Sequence, residues 1–490
     1  RVETNTKYTL ENRRYVIIGA VVLLVLVFII RLFYLQVVEN DYKAWADSNA
    51  FLKKTLLPSR GMIYDRNDNL LVYNQPAYDV MLIMREIQPF DTLDFCNILS
   101  ITKEQFEKRI AEIKNRRLNP GYSSYVPQVF MNHLSAQECG ILQEKLYKFP
   151  GFYIQNRTIR QYEYPYAAHV LGNIGQVNRK DIEADDYYVQ GDDSGRAGVE
   201  RSYEKQLRGE KGVEILLRDV HGRIKGKYDD GASDVAPVSG KNLKLSLDIN
   251  LQAYGEKLMK NKVGSIVMIE PETGEVLCLV TSPNYDPSLL VGRQRGKNHR
   301  MLEENPQTPL IDRSITGFYP PGSTFKPTQG LIFLQEGVIT PSTMYTCAHG
   351  YTYSIKRKPA CHGHASPLSL VPALATSCNS FFCWGLHDML DNRRRYPTVQ
   401  EGFEVWKNHL VSMGYGYPLG IDLPGEKRGY IPNSKVYDKL HRRWNSSTII
   451  SIAIGQGEIS ATPLQICNLA ATIANRGYFI TPHVVKEVQD

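Results

Sequence analysis

The residues with the most chemical content lie in Pro320-Pro321-Gly322-Ser323-Thr324-Phe325-Lys326-Pro327. Two prolines and a glycine force a turn, and the residues after it can start a helix with Ser323 at its N-terminus. Ser323 and Lys326 are three apart, so on a helix both side chains share one face. A lysine desolvated there can lose its proton and activate the hydroxyl. The partial positive charge of a helix N-terminus further favours an alkoxide-like nucleophile. Ser-x-x-Lys is expected by chance roughly twice in a chain of average composition. It occurs three times here, but Ser100/Lys103 and Ser202/Lys205 sit in charged stretches without a preceding Pro-Pro-Gly and read as solvated surface.

A second element is Ser377-Cys378-Asn379, just before an aromatic-rich helical pattern. A hydroxyl there can relay a proton and an amide can hold a substrate backbone. The same tripeptide pattern recurs at Ser282–Asn284, and an ordinary helix cap is the plain alternative. A third group is Cys347, Cys361, His364 and Cys378, spaced C-x13-C-x2-H-x13-C. Three thiolates and one imidazole make a closed tetrahedral zinc set. Buried structural thiols, or a Cys347 to Cys361 disulfide in an exported domain, answer the same spacing. His349, His362 and Cys383 are the substitute ligands.

These residues need a frame, and 490 residues are too many for one ordinary core, which argues for roughly two to four domains. With 42% apolar and 22% charged residues the chain is of globular composition. A net charge of +7 over this length is too dilute for a nucleic-acid footprint. Tyr15 to Ile30 carries no charge, and the apolar run resumes after Arg31 to Val38, which predicts a transmembrane helix over 15–38. Arg1, Lys7, Arg13 and Arg14 precede it, so residues 1–14 are expected in the cytoplasm and the bulk of the chain outside it.

Residues 39–226 mix charged helical stretches such as Thr102 to Arg117 with short β-like runs, which suits a polar, elongated module. Residues 227–240 are rich in Asp, Gly, Ser and Pro and read as a linker. From 241 to 490 the pattern changes. Strand candidates at Leu243–Leu247, Ser265–Ile269 and Glu275–Thr281, the last two joined by Pro271–Gly274, are followed by helical patterns over Thr324–Glu336, Leu370–Leu390 and Pro463–Asn475. The expected class is α+β.

Ser323-x-x-Lys326 and Ser377-x-Asn379 together resemble the penicillin-binding enzymes. The likeness extends over nearly the whole chain, through Arg60-Gly-Met-Ile-Tyr-Asp-Arg66, Gly195-Arg-Ala-Gly-Val-Glu200, Asp248 to Gln252, Gly420-Ile-Asp-Leu-Pro-Gly425 and Ile454-Gly-Gln-Gly457 with Thr462-Pro-Leu-Gln465. These look like class B, most of all the elongation type (penicillin-binding protein 2), with the division type as near alternative. The resemblance implies a membrane anchor, a non-catalytic pedestal of the dimerisation type, and a serine β-lactamase-like transpeptidase domain that cross-links peptidoglycan and is the target of β-lactams. Carried over residue by residue, it makes Ser323 the nucleophile on the D-Ala-D-Ala carbonyl of a stem peptide and Lys326 its base. Ser377 would pass a proton to the leaving D-alanine and Asn379 would hold the donor peptide. Water in place of the acceptor amine would give carboxypeptidase action.

A β-lactamase is chemically close, but no Glu-x-x-Leu-Asn element is present. The family also carries Lys-Thr-Gly on a strand that closes the cleft. No Lys-Thr-Gly or Lys-Ser-Gly occurs here, and the expectation is that both ends of the sequence are trimmed and that this domain lacks its last strands as written. A non-catalytic, membrane-anchored scaffold of the wall-synthesis machinery is the alternative of a different class. Some elongation-type members carry zinc beside the Ser-x-Asn loop, which favours Cys347, Cys361, His364 and Cys378 as ligands of a structural zinc. The resemblance also implies a SEDS-family glycosyltransferase and elongation scaffold proteins as partners, at the bacterial inner membrane with the bulk of the chain in the periplasm.

Overall fold

A computed structural model describes residues 6–34, 51–119, 122–218, 224–353 and 359–489. Thr6–Phe33 is a single helix, apolar from Arg14 onward. Twenty residues at about 1.5 Å each reach about 30 Å, the thickness of a bilayer's hydrocarbon core. Residues 35–38 of the expected span, and the polar stretch after it, lie outside the described residues.

Both expected modules contribute to one six-stranded sheet. Asn242–Leu245 pairs in parallel with Ile63–Tyr64 on one side and antiparallel with Val485–Gln489 on the other. Ile63–Tyr64 then leads to the long strand Leu70–Leu82, on which Gln128–Leu134 and Phe152–Tyr162 pair. Apolar alternation fixes this arrangement. Ile63, Leu71, Leu243, Leu245, Val276, Leu464 and Val484 are fully buried in a single core that no module could close alone. The expected linker is therefore not a free tether: it carries a short 3-10 turn at Tyr228–Gly231, and Val235 and Val238 pair with Val213 and Glu210. The first module also holds a separate core, which gathers Phe95, Phe130, Phe149 and Phe152.

In the second module Gly264–Ile269 and Val276–Ser282 form the expected hairpin. Its turn needs glycine at 274, where φ is +78° and a Cβ would lie 2.8 Å from the Thr481 carbonyl oxygen. The helical region is where sequence and structure part. The run Leu370–Leu390 is two helices, Leu370–Ala375 and Asn379–Leu390, broken at Ser377, whose φ is +53°. The latter helix packs closely on Lys326–Gln335 because residue 385 is glycine: a Cβ there would meet the Phe333 ring at 2.4 Å. That close approach brings the break at Ser377 over the start of the 326–335 helix.

Candidate active site

Ser323 is exposed on a 3-10 turn, Gly322–Phe325, and the α-helix begins only at Lys326. The nucleophile candidate, expected at the helix N-terminus, thus sits one turn ahead of it, because Gly322 takes φ +59° and Thr324 Oγ1 donates to the Pro321 carbonyl at 2.6 Å. The turn is held from outside as well. Gly322 N–H donates to the Gly455 carbonyl at 2.8 Å, and Tyr319 and Ala461 exchange two backbone bonds of 2.9 Å.

Lys326 is 1% exposed, and its Nζ donates to the Ser377 carbonyl at 2.7 Å, to Ser377 Oγ at 2.9 Å and to Asn379 Oδ1 at 2.7 Å. Ser377 Oγ in turn donates to Ser323 Oγ at 2.9 Å. Ser323 and Lys326 make no direct hydrogen bond to each other; Ser377 touches both. Burial pushes the Lys326 ammonium below its ordinary pKa, opposed chiefly by the charge at Cys361, whose thiol is itself shifted toward the thiolate. A neutral amine here can reverse the two bonds, so that the Ser323 proton moves to Ser377 Oγ and the Ser377 proton to Nζ. Asn379 is oriented by a donation from Nδ2 to the Ala360 carbonyl at 2.7 Å.

The cysteine group converges beside this loop. The ligand atoms of Cys347, Cys361, His364 and Cys378 all lie within 4.8 Å of one another. Tetrahedral zinc with Zn–S near 2.3 Å needs donors about 3.8 Å apart, so the set fits the ion. His364 Nδ1 lies 2.7 Å from the Ala365 carbonyl, and its Nε2 is buried without a hydrogen-bond partner among the described residues, as a metal-ligating nitrogen would be. A hydrogen bond from Cys378, with the Ser380 N–H adding to it, pulls the Cys361 thiol down to about 4, while Cys378 is pushed up. Backbone N–H groups of Asn379 and Ser380 donate to Cys361 Sγ at 3.2 and 3.3 Å. All eight cysteines are free, so Cys347 and Cys361 are not bridged. His349 and His362 are exposed and Cys383 is fully buried inside the 379–390 helix; none joins the group.

Residues 55–245 match the penicillin-binding protein dimerisation domain, and residues 264–490 match the penicillin-binding protein transpeptidase domain. The peptidoglycan D,D-transpeptidase MrdA of Acinetobacter baumannii is 32% identical over 489 residues, covering 97% of this chain and 69% of the relative. The chain belongs to the peptidoglycan D,D-transpeptidases of the penicillin-binding protein family. Among solved structures of this family, penicillin-binding protein 2 of Helicobacter pylori in complex with MreC superposes with a TM-score of 0.73 at 26% identity, over 90% of this chain and 80% of that one. A peptidoglycan synthase complex that coordinates polymerisation and crosslinking shares the fold, with a TM-score of 0.63 at 24% identity over 97% of this chain and 80% of that one.

The expected penicillin-binding constellation, Ser323, Lys326, Ser377 and Asn379, is brought together in one place. The competing Ser-x-x-Lys pairs are exposed elsewhere: Ser100 follows the Thr92–Ile98 helix and Ser202 ends Gly198–Ser202. Ser282 Oγ bonds the Met259 and Lys262 carbonyls at 3.1 and 2.7 Å and reaches no lysine amine. Sequence reasoning gave Gly455 no part in the site and missed the Ala360 carbonyl. The first had a signal in Gly455-Gln-Gly457; the second, a main-chain oxygen, had none.

Proposed function

We propose that this chain cross-links peptidoglycan stem peptides during cell elongation through an acyl-enzyme on Ser323. The observation that carries the reading is the hydrogen-bonded series Ser323 Oγ, Ser377 Oγ, Lys326 Nζ, with Asn379 fixed against the same amine. Ser323 Oγ attacks the carbonyl of the penultimate D-alanine and its proton leaves through Ser377 to Lys326. The peptide C–N bond then breaks, and the terminal D-alanine amine takes a proton back along the same route. An acceptor amine from a neighbouring stem attacks the ester, loses its own proton to that relay and restores the Ser323 hydroxyl. Water in its place gives carboxypeptidase action. β-Lactams acylate the same oxygen.

In this reading residues 1–14 are cytoplasmic, 15–38 span the inner membrane, 39–226 form a non-catalytic pedestal, 227–240 connect, and 241–490 carry the chemistry in the periplasm. The apolar 14–33 stretch supports one crossing. Cys347, Cys361, His364 and Cys378 hold a structural zinc; four protein ligands leave no open position for water, so the ion stiffens the loop bearing Ser377 and Asn379 and takes no part in the chemistry. The MreC-bound and synthase-complex relatives support an elongation scaffold protein and a SEDS-family glycosyltransferase as partners.

The test is mass spectrometry of the protein as expressed from its complete gene, after exposure to a labelled penicillin. The label is expected on Ser323. Ser323→Ala abolishes it, and Ser100→Ala and Ser202→Ala leave it intact. Label on another serine overturns the reading of Ser323, and none on folded protein leaves the non-catalytic scaffold.

A further inference from the structure

A cavity of about 480 Å³ lies between the pedestal strands Gln128–Leu134, Phe152–Tyr162 and Asn173–Gln176 and the 290–296 segment of the second module. Ile159, Ile174, Leu290 and Val291 make an apolar wall. The charged lining is four arginines, Arg109, Arg160, Arg293 and Arg295, against one carboxylate, Asp193. That carboxylate is already engaged, by Arg157 Nη1 at 2.9 Å and His133 Nε2 at 3.1 Å. Arg109 faces Glu112 at 3.2 Å, Arg293 faces Glu138 at 2.6 Å and Arg160 faces Glu200 at 2.8 Å.

Arg295 differs from these. Its Nε donates to the Ile174 carbonyl at 2.7 Å and its Nη2 to Asn173 Oδ1 at 2.8 Å, both neutral acceptors. Among the described residues no carboxylate pairs with it, and Nη1 makes no hydrogen bond. Burial and the nearby Arg196 hold its pKa below the ordinary guanidinium value, although the Asp193 carboxylate, which is engaged by Arg157, pulls the other way. The guanidinium lies flat on Gly175, where a Cβ would be 2.6 Å from its Cζ, so the backbone is shaped around the cation. Arg160 adds a buried Nη2 with no partner. A half-buried guanidinium with no carboxylate in hydrogen-bond contact is left incompletely paired unless an anion reaches it, and its fork suits the two oxygens of a carboxylate or phosphate.

We propose that this cavity binds a small oxyanion carried on an apolar stem, with Arg295 as its principal contact and the Ile159, Ile174 and Leu290 wall receiving the stem. Because Arg295 belongs to the Arg295–Glu303 helix and its hydrogen bonds go to a pedestal strand, an occupant tightens the junction between the two modules.

The test is isothermal titration of the full chain in detergent with hexanoate, hexyl phosphate and hexan-1-ol, joined to amide hydrogen exchange. Either anion is expected to bind and the neutral alcohol to bind at least tenfold more weakly. The stronger of the two anions tells whether the natural occupant is a carboxylate or a phosphate. Arg295→Gln keeps donors toward Ile174 and Asn173 without the charge, and is expected to weaken the anion about tenfold or more. Arg293→Gln, already shared with Glu138, is expected to weaken it less, and reads the site if the first variant fails to fold. Exchange is expected to slow at 173–176 and 290–296. Equal binding of alcohol and anions, no binding of either anion, affinity unchanged in a folded Arg295→Gln or, if that variant does not fold, in Arg293→Gln, or slowed exchange only elsewhere would overturn the proposal.

Discussion

Replacing Gly455 by alanine is expected to disable acylation from outside the reacting groups. Gly455 has φ +71°, a conformation that costs an L-residue roughly 1–2 kcal/mol. The larger effect is steric. A Cβ at 455 would lie 2.2 Å from the Gly322 carbonyl oxygen, 2.7 Å from Gly322 N and 2.8 Å from Phe325 Cβ. Ordinary van der Waals contact begins at 3.4 Å, so the Gly322 backbone must retreat by about 1 Å. Gly322 precedes Ser323 directly, and a displacement of about 1 Å at a reacting group costs on the order of 10²-fold in rate. The assay is the second-order rate of acylation by a labelled penicillin, measured beside thermal melting. Gly457→Ala is the control: its φ is +78°, but the nearest atom to a new Cβ is the Ser451 hydroxyl at 3.3 Å, which needs to give by only a few tenths of an ångström, so it carries the backbone strain with no backbone clash. Gly455→Ala is expected to lose about 10²-fold in acylation while Gly457→Ala stays within several-fold of the parent. An acylation rate for Gly455→Ala within threefold of the parent, or an equal loss in both variants, would refute the argument that the 455 loop sets the position of Ser323.

Lys326→Met should lower acylation by roughly 10²–10⁴-fold, the usual worth of a general base, read by the same rate assay. Acylation should rise with pH through the depressed Lys326 pKa, below its ordinary 10.5, since only the neutral amine accepts a proton; the unfolded chain binds more protons in that window, so stability from this group also rises with pH, and chemical denaturation at several pH values checks the sign. Cys361→Ser should remove the single zinc found by elemental analysis of protein purified without added metal, and lower stability by several kcal/mol, with acylation falling because Asn379 and Ser380 lose their N–H···S bonds. A reporter active only in the cytoplasm, fused after Gly226, should be silent, and activity there would reverse the topology.

The sequence by itself determined the parts that depend on local chemistry. Ser323 and Lys326 were legible because Pro-Pro-Gly fixes a turn whatever surrounds it, and the hairpin at Pro271–Gly274 because its φ requirement is local. The apolar 14–33 stretch needed no tertiary partner to be read. Tertiary structure decided what distant segments do to one another. Spacing put Lys326 directly on Ser323, whereas the fold inserts Ser377 between them; it does so by breaking the 370–390 helix at a residue of positive φ and seating it on Lys326 through the Gly385–Phe333 contact. Nor could the sequence show that strands from residues 63, 243 and 485 share one sheet. Burial of Ile63, Leu243 and Val484 in a common core is a property of three segments hundreds of residues apart, and periodicity within each segment reports only which face is apolar, not what covers it.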